Sequence, residues 1–304
     1  MNARCGRLQV FVSQGPIPEL MLEPGQRYRV GRAREAHCHI DDESVSRHHL
    51  EIDTTGWPWH IRDLGSKNGS RLSGKPLGSA DLAASCWMSI AGIPARIEIT
   101  DSRTASRWRR DADTRRLTAR QLGRGLRADL SRPELLERIV RSFMQLAECD
   151  AGALFLSDEH GRSEMVHDCG QSLSGAGRSV VEDVLRTSRP VVVSDLAVHR
   201  ALASRESIVS GGIRALVCLP LIVEDQVRGA LFASSRAPGK TFTRLDHELL
   251  EGLARQAAFV VALDRMREEA ARLRMELPES PEGLASSGPL SAVLERVLPP
   301  VGGR

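Results

Sequence analysis

Apolar and polar positions alternate in short runs through the first hundred residues. Leu8-Gln9-Val10-Phe11-Val12, Arg27-Tyr28-Arg29-Val30, His49-Leu50-Glu51-Ile52, Trp59-His60-Ile61-Arg62 and Ala95-Arg96-Ile97-Glu98-Ile99 are such runs. Gly31, Gly56, Gly65 and the pair Asn68-Gly69 separate them. A period of two, interrupted by turn residues, predicts half-buried strands, and many short strands of this kind predict a β-sandwich.

The pattern changes near residue 131. Ser131-Arg132-Pro133-Glu134 carries the signals of a helix start, a capping serine answered by a glutamate three residues on. Leu135, Leu136, Ile139, Val140, Phe143 and Met144 then recur at helical spacing. Ala151–Leu156 predicts a strand, with Asp158-Glu159-His160-Gly161 as the turn after it. A helix is expected over Ser179–Thr187 and a strand over Pro190–Val193. Ala215–Leu221 and Val227–Ala233 flank a turn at Glu224-Asp225 and predict an antiparallel pair. A long helix is expected from about Thr243 through the 260s.

Charge separates the two regions. The 304 residues carry a net +3, but residues 101–132 alone hold 10 Arg and 4 Asp. This stretch has few large apolar residues and no sustained period, so it reads as a basic, solvated linker. Its single aromatic, Trp108, is too little for a base-stacking platform. Only three of the 42 basic residues are lysine, a bias that reflects genome composition rather than arginine chemistry. No apolar run approaches the roughly 18 residues of a membrane span, and the first 15 residues lack the apolar core of a secretory signal. A cytoplasmic protein is the expectation. Six scattered cysteines without a CxxC pair argue against a disulfide framework and a clustered zinc site. His37, Cys38, His39, His48 and His49 match no standard zinc spacing, and no metal is expected.

Three loops between the predicted strands carry donors without a catalytic acidic pair: Gly31-Arg32, Ser44–His49, and Asp63–Gly69. Arg32 offers a planar fork for a phosphate, Ser46 a hydroxyl and a backbone N–H, Arg47 and Lys67 positive charge, and Asn68 an amide. Gathered at one end of a sandwich they make an anion pocket. Gly-Arg, then Ser-x-x-His, then Asn-Gly, in this order, resembles the forkhead-associated (FHA) domain. That resemblance implies an eleven-stranded β-sandwich over residues 1–100 whose loops bind phosphothreonine peptides. It implies that Arg32 and Ser46 contact the phosphate, that Arg47 and Lys67 sit beside it, and that Asn68 holds the peptide backbone. Gly31, His49 and Gly69 are then scaffold. Family members commonly have threonine where Lys67 stands.

Residues 131–265 resemble a GAF domain, most plainly in Gly212-Ile213-Arg214-Ala215 through Phe232 and in Phe242-Thr243-Arg244-Leu245-Asp246. The resemblance implies an α+β sensor with a central antiparallel sheet and a small-molecule pocket. Cyclic-nucleotide-binding members carry a spaced Asn-Lys, Phe, Asp-Glu signature. Phe242 and Asp246 fit it, but His247 replaces the glutamate and the Asn-Lys pair is absent, so cyclic GMP is not expected. Bilin binders want a cysteine beside a histidine, whereas Gly170 follows Cys169 and Leu219 follows Cys218. Gly239-Lys240-Thr241 ends like a phosphate loop, but Ser234 stands where its first glycine is required, so nucleotide hydrolysis is not expected.

Leu263, Met266, Ala270, Leu273 and Leu277 are spaced as a coiled-coil seam, and the resemblance implies a parallel homodimer through this helix. The tail after Pro278 is rich in Pro, Ser and Gly, with a short helical patch at Leu290–Leu298. That patch is similar to the segment before the ATPase of sigma-54-type transcriptional activators. The combined reading is a multidomain chain: an all-β sandwich (1–100), a basic linker (101–130), an α+β sensor (131–265), then a signalling helix and flexible tail (266–304). Its expected role is non-enzymatic signalling, without cofactor, catalytic residues, membrane or direct nucleic-acid contact. Expected partners are a phosphothreonine-containing protein that is a substrate of a Ser/Thr kinase, a small-molecule ligand of the GAF domain and a second copy. The alternative is the input half of a sigma-54-type regulator.

Overall fold

The computed structural model describes residues 4–12, 15–127, 129–158, 162–170, 175–194 and 212–276. The expected turn residues Glu159-His160-Gly161, Leu277, and the patch at Leu290–Leu298 lie outside them. Both folded regions belong to one compact unit, Met1–Val260, and Val261–Arg304 is a second.

The described residues of the N-terminal region form eleven strands. They are β1 (Arg4–Val10), β2 (Glu19–Leu22), β3 (Arg27–Gly31), β4 (Cys38–His39), β5 (Leu50–Asp53), β6 (Trp59–Asp63), β7 (Ser70–Leu72), β8 (Lys75–Leu77), β9 (Ser79–Leu82), β10 (Cys86–Ile90) and β11 (Ile93–Asp101). One sheet has the order β2-β1-β11-β10-β7-β8 and the other β4-β3-β5-β6-β9. The predicted alternation is realised across the β5–β6 ladder, where Ile52 faces Ile61 and both are buried while Glu51 pairs with Arg62. Leu8, Val30, Leu50, Trp59, Ile90 and Ile97 close the core between the sheets.

The second region is a five-stranded antiparallel sheet, β13-β12-β16-β15-β14, of β12 (Ala151–Ser157), β13 (Ser163–Cys169), β14 (Val191–Val193), β15 (Ala215–Val223) and β16 (Gln226–Ser235). Residues 152–156 of β12 are buried without alternation because both faces of the sheet are covered. Ala153 and Phe155 pack toward α3 (Gly175–Thr187), against Val180, Val181 and Val184. α2 (Arg132–Ala147) packs on β12 and β13 and buries Leu135, Leu136, Ile139, Val140 and Phe143. Its start follows the sequence signal: the Ser131 N–H and hydroxyl both donate to the Glu134 carboxylate, at 3.2 and 2.6 Å. β13 has no counterpart in the sequence reading, because Ser163-Glu164-Met165-Val166-His167-Asp168-Cys169 is a polar, partly exposed edge strand.

The basic stretch is the main departure from expectation. It is a 24-residue helix, α1 (Ser102–Gly125), whose first turn is capped by Asp101 accepting the Thr104 N–H at 2.8 Å. Its inner face carries small residues: Ala105 and Gly123 are buried, and Ala112 and Ala119 are half-buried. That face carries no large apolar residues at helical spacing, which is why the sequence reads as an irregular connector. α1 contacts β1 and β11 of the sandwich and α2 of the second region.

The last helix of the described residues, α4 (Arg244–Glu276), begins where the two folded regions touch. Ile17, in the segment between β1 and β2, is 1% exposed. Its N–H donates to the Phe242 carbonyl at 2.8 Å, its own carbonyl accepts the Arg244 N–H at 3.1 Å, and the Gly15 N–H reaches the Val192 carbonyl at 3.1 Å. Asp246, 4% exposed in the first turn of α4, accepts the Thr243 N–H at 2.8 Å and pairs with Arg115 of α1 at 2.8 Å. Arg115 also donates to the Leu146 carbonyl and pairs with Glu148 at 3.2 Å, binding α1 to the end of α2.

Candidate functional site

Three loops meet at one end of the sandwich: 32–37 after β3, 40–49 before β5, and 64–69 between β6 and β7. The first two are stitched together by backbone bonds from Arg32 N–H to Ser46 O (2.9 Å) and from Ala33 N–H to Arg47 O (3.1 Å). This approach requires glycine at 31, since a Cβ there would lie 2.3 Å from the Arg47 carbonyl oxygen. Buried Val45 pins the second loop to the core.

His49 is the internal brace. It is fully buried; its Nδ1 accepts the Ser46 N–H at 3.1 Å and its Nε2 donates to the Gly69 carbonyl at 3.3 Å. One imidazole thus fixes the second loop to the third. Burial holds its pKa below the usual histidine range, consistent with an Nδ1 that must stay unprotonated to accept. Asp63 lies 3.7 Å from Nε2, too far for a strong hydrogen bond, and is occupied by the Ser66 N–H and by the Ser66 and Ser70 hydroxyls. Burial alone would raise the Asp63 pKa, but these hydrogen bonds outweigh it and leave the carboxyl below its ordinary value. Gly69 turns the third loop at φ +68°, a conformation that favours glycine.

On this frame the predicted residues converge. The Ser46 hydroxyl oxygen accepts the Lys67 N–H at 3.0 Å, so its own proton is left to donate outward. The Arg32 Nε donates to the Val45 carbonyl at 3.3 Å, which anchors the guanidinium by one edge. Asn68 donates to the Ser44 carbonyl at 2.7 Å, keeping its side-chain oxygen available. Arg32, Arg47, Lys67 and Asn68 are exposed, and among the described residues none of the three cations pairs with a carboxylate. The nearby acid Asp42 is turned inward onto the Ser44 N–H and hydroxyl. The cluster therefore presents several donors to solvent while the Asp42 carboxylate is engaged within its own loop, which suits a multivalent anion.

The histidines and cysteine next to this site have separate structural partners. His37 Nδ1 accepts the Arg29 N–H at 3.0 Å, His39 Nδ1 lies 3.2 Å from the Ala33 carbonyl, and burial pushes the Cys38 thiol up to about 12.

In the second region, Phe242 is buried and Asp246 caps α4, so both of the residues that fit a cyclic-nucleotide signature serve the junction with the sandwich. Sequence reasoning missed Arg115 and Ile17 altogether. Cys169 lies 3.6 Å from His167 Nε2 across one residue of β13. Burial raises the Cys149 thiol to about 12 and raises Cys218 as well, so both stay protonated near neutral pH. Lys240 of the phosphate-loop lookalike pairs with Glu148 at 3.0 Å. Among the described residues no helix is long and apolar enough to cross a membrane.

A family model described as FHA domain matches residues 28–87, and one described as GAF domain matches residues 131–261. No curated protein matches the chain. Among solved structures it is similar to the FHA domain of the CT664 protein from Chlamydia trachomatis, at 27% identity and a TM-score of 0.29 over 31% of this chain and 96% of that one. It is also similar to the GAF domain of a phosphoenolpyruvate-protein phosphotransferase from Acinetobacter (18% identity, TM-score 0.39, 48% of this chain and 90% of that one). The cyanobacteriochrome TePixJ GAF domain gives 17% identity and a TM-score of 0.38 over 46% and 94%.

Proposed function

We propose that this chain, with an FHA domain followed by a GAF domain, is a non-enzymatic signalling protein that reads phosphothreonine on a partner. The observation that carries the reading is the three-loop cluster of outward-facing donors braced by His49. A phosphorylated side chain brings roughly −1.5 to −2 charge and three acceptor oxygens. Arg32 and Ser46 hold the phosphate, Arg47 and Lys67 flank it, and Asn68 engages the peptide backbone. Each charge-assisted bond contributes on the order of 1.5–3 kcal/mol. Arg32→Ala is therefore expected to weaken the best phosphothreonine peptide by about tenfold or more. Titration of a phosphopeptide library against both proteins tests this, and equal affinity of the two for their best peptide would refute it.

The GAF domain contributes self-association and ligand sensing. Phe259, Met266 and Leu273 recur every seven residues on α4 and stand 61%, 64% and 55% exposed, with Leu263 and Ala270 in the intervals between them. Burying each leucine is worth roughly 1.5–3 kcal/mol, which a parallel second copy supplies. The expected outcome is a concentration-dependent dimer in sedimentation equilibrium, weakened when Leu263 and Leu273 both become Asp. A dimer indifferent to that double substitution contradicts this interface.

A further inference from the structure

We propose that the outer face of α1 is a docking surface for the phosphate backbone of a duplex nucleic acid. The helix holds eight arginines and two aspartates, and its turns sort them by partner. Two arginines are neutralised by the protein body, Arg109 by Glu23 and Arg115 by Asp246 and Glu148, and a third, exposed Arg116, pairs with Asp113 of α1 itself. Among the described residues Arg107, Arg110, Arg120 and Arg124 pair with no carboxylate, and all four are exposed. Arg103, also exposed, stands next to the Asp101 cap.

Positions 103, 107, 110, 114, 117, 121 and 124 are spaced four and three apart and so share one face. That face reads Arg, Arg, Arg, Thr, Leu, Gln, Arg. At 1.5 Å per residue it is about 32 Å long, close to the roughly 34 Å of one duplex turn. Arginine forks bind phosphate oxygens, and threonine and glutamine also donate to a nucleic-acid backbone.

The alternatives fit less well. An acidic peptide needs an apolar anchor in a pocket to bind with useful affinity, and the stripe offers only Leu117 on a convex surface. An interfacial membrane helix needs a bulky apolar face, whereas the opposite face of α1 is lined by Ala105 and Gly123 and is packed inward. A phosphate backbone needs only spaced cations. An irregular connector with a lone aromatic offers no platform for nucleic acid, but a one-sided arginine helix binding a backbone requires neither disorder nor stacking.

The stripe is also separate from the phosphate-reading loops. Those loops reach the β10–β11 hairpin, where the Ala91 N–H donates to Gly69 O at 2.9 Å, while α1 starts at the far end of β11, after Asp101. At about 3.3 Å per strand residue the two ends lie roughly 25 Å apart, so both surfaces are open to ligands together.

The test uses the full chain and a labelled DNA duplex of roughly 20 base pairs, followed by fluorescence anisotropy between about 50 and 200 mM salt. The expected result is binding whose log–log salt slope is near −4, from about four phosphates neutralised. A variant with Arg103, Arg107, Arg110 and Arg124 changed to Gln should lose binding by at least about tenfold and flatten that slope, while keeping its affinity for phosphothreonine peptide. A control with the exposed Arg186, Arg189, Arg228 and Arg255 changed to Gln should bind DNA as the parent does. If the quadruple stripe variant fails to fold, the pair Arg107→Gln and Arg110→Gln is read instead, with an expected slope reduction of about 2. A duplex RNA that behaves the same way supports the backbone reading. The proposal is overturned by no duplex binding at low salt, by stripe variants that bind as the parent, by an equal loss in the control, or by arginine-dependent binding of polyglutamate or phosphatidylserine vesicles but not of duplex.

Discussion

Gly31→Ala is expected to cost about 3 kcal/mol of folding stability and to remove phosphopeptide binding. The added methyl carbon would sit 2.3 Å from the Arg47 carbonyl oxygen and 2.9 Å from that of Ser46, both backbone atoms. A side chain could rotate away from such an overlap; a backbone can only move as a segment. Separation of the two loops breaks the bonds from Arg32 N–H to Ser46 O and from Ala33 N–H to Arg47 O. It also moves Ser46 off His49 Nδ1, and with it the donors that the phosphate needs. Gly31 itself touches no ligand, so the loss of binding tests the frame rather than the contact. Urea unfolding followed by the fluorescence of buried Trp59, with a parallel peptide titration, measures both effects. An alanine variant with the parent midpoint and affinity contradicts the account.

Arg115→Ala is expected to destabilise the chain by about 3 kcal/mol or more, because removing one partner of a buried ion pair strands the other charge. Asp246 is buried and has Arg115 as its cation, at 2.8 Å; its hydrogen bond from the Thr243 N–H remains but does not neutralise it. The same change frees the Leu146 carbonyl and Glu148, which hold α1 against the end of α2. Asp246→Asn alone leaves Arg115 with Glu148, and the pair of changes together leaves no stranded charge. A double-mutant cycle should therefore return a coupling energy on the order of 1–3 kcal/mol. Strict additivity, or a single Arg115→Ala variant as stable as the parent, rules out this ion pair as the clasp between α1 and α4.

How far the sequence disclosed all this depends on the range over which each feature acts. The β5 and β6 strands are legible because burial alternates residue by residue: Leu50 and Ile52 in, Glu51 and Asp53 out. The start of α2 is legible because Ser131 and Glu134 form a local device. The phosphate-facing residues are legible as donors on turns, and the structure adds what no spacing shows, that His49 joins Ser46 to Gly69. α1 was hidden because alanine and glycine line its inner face, where pattern reading looks for leucine. β13 was hidden because an edge strand tolerates polar residues on both faces. Arg115, Asp246 and Ile17 were hidden for another reason. Their partners lie far away in the chain, and such contacts leave no periodic trace.

The measurement that bears most directly on the central claim is a calorimetric titration of the full chain with matched peptides that differ only in phosphorylation. The account predicts saturable binding of a phosphothreonine peptide, loss of that binding in the identical threonine peptide, and loss again when Ser46 becomes Ala. Equal binding of the phosphorylated and unphosphorylated peptides, or phosphopeptide binding that survives the joint replacement of Arg32 and Ser46 by Ala, would contradict it.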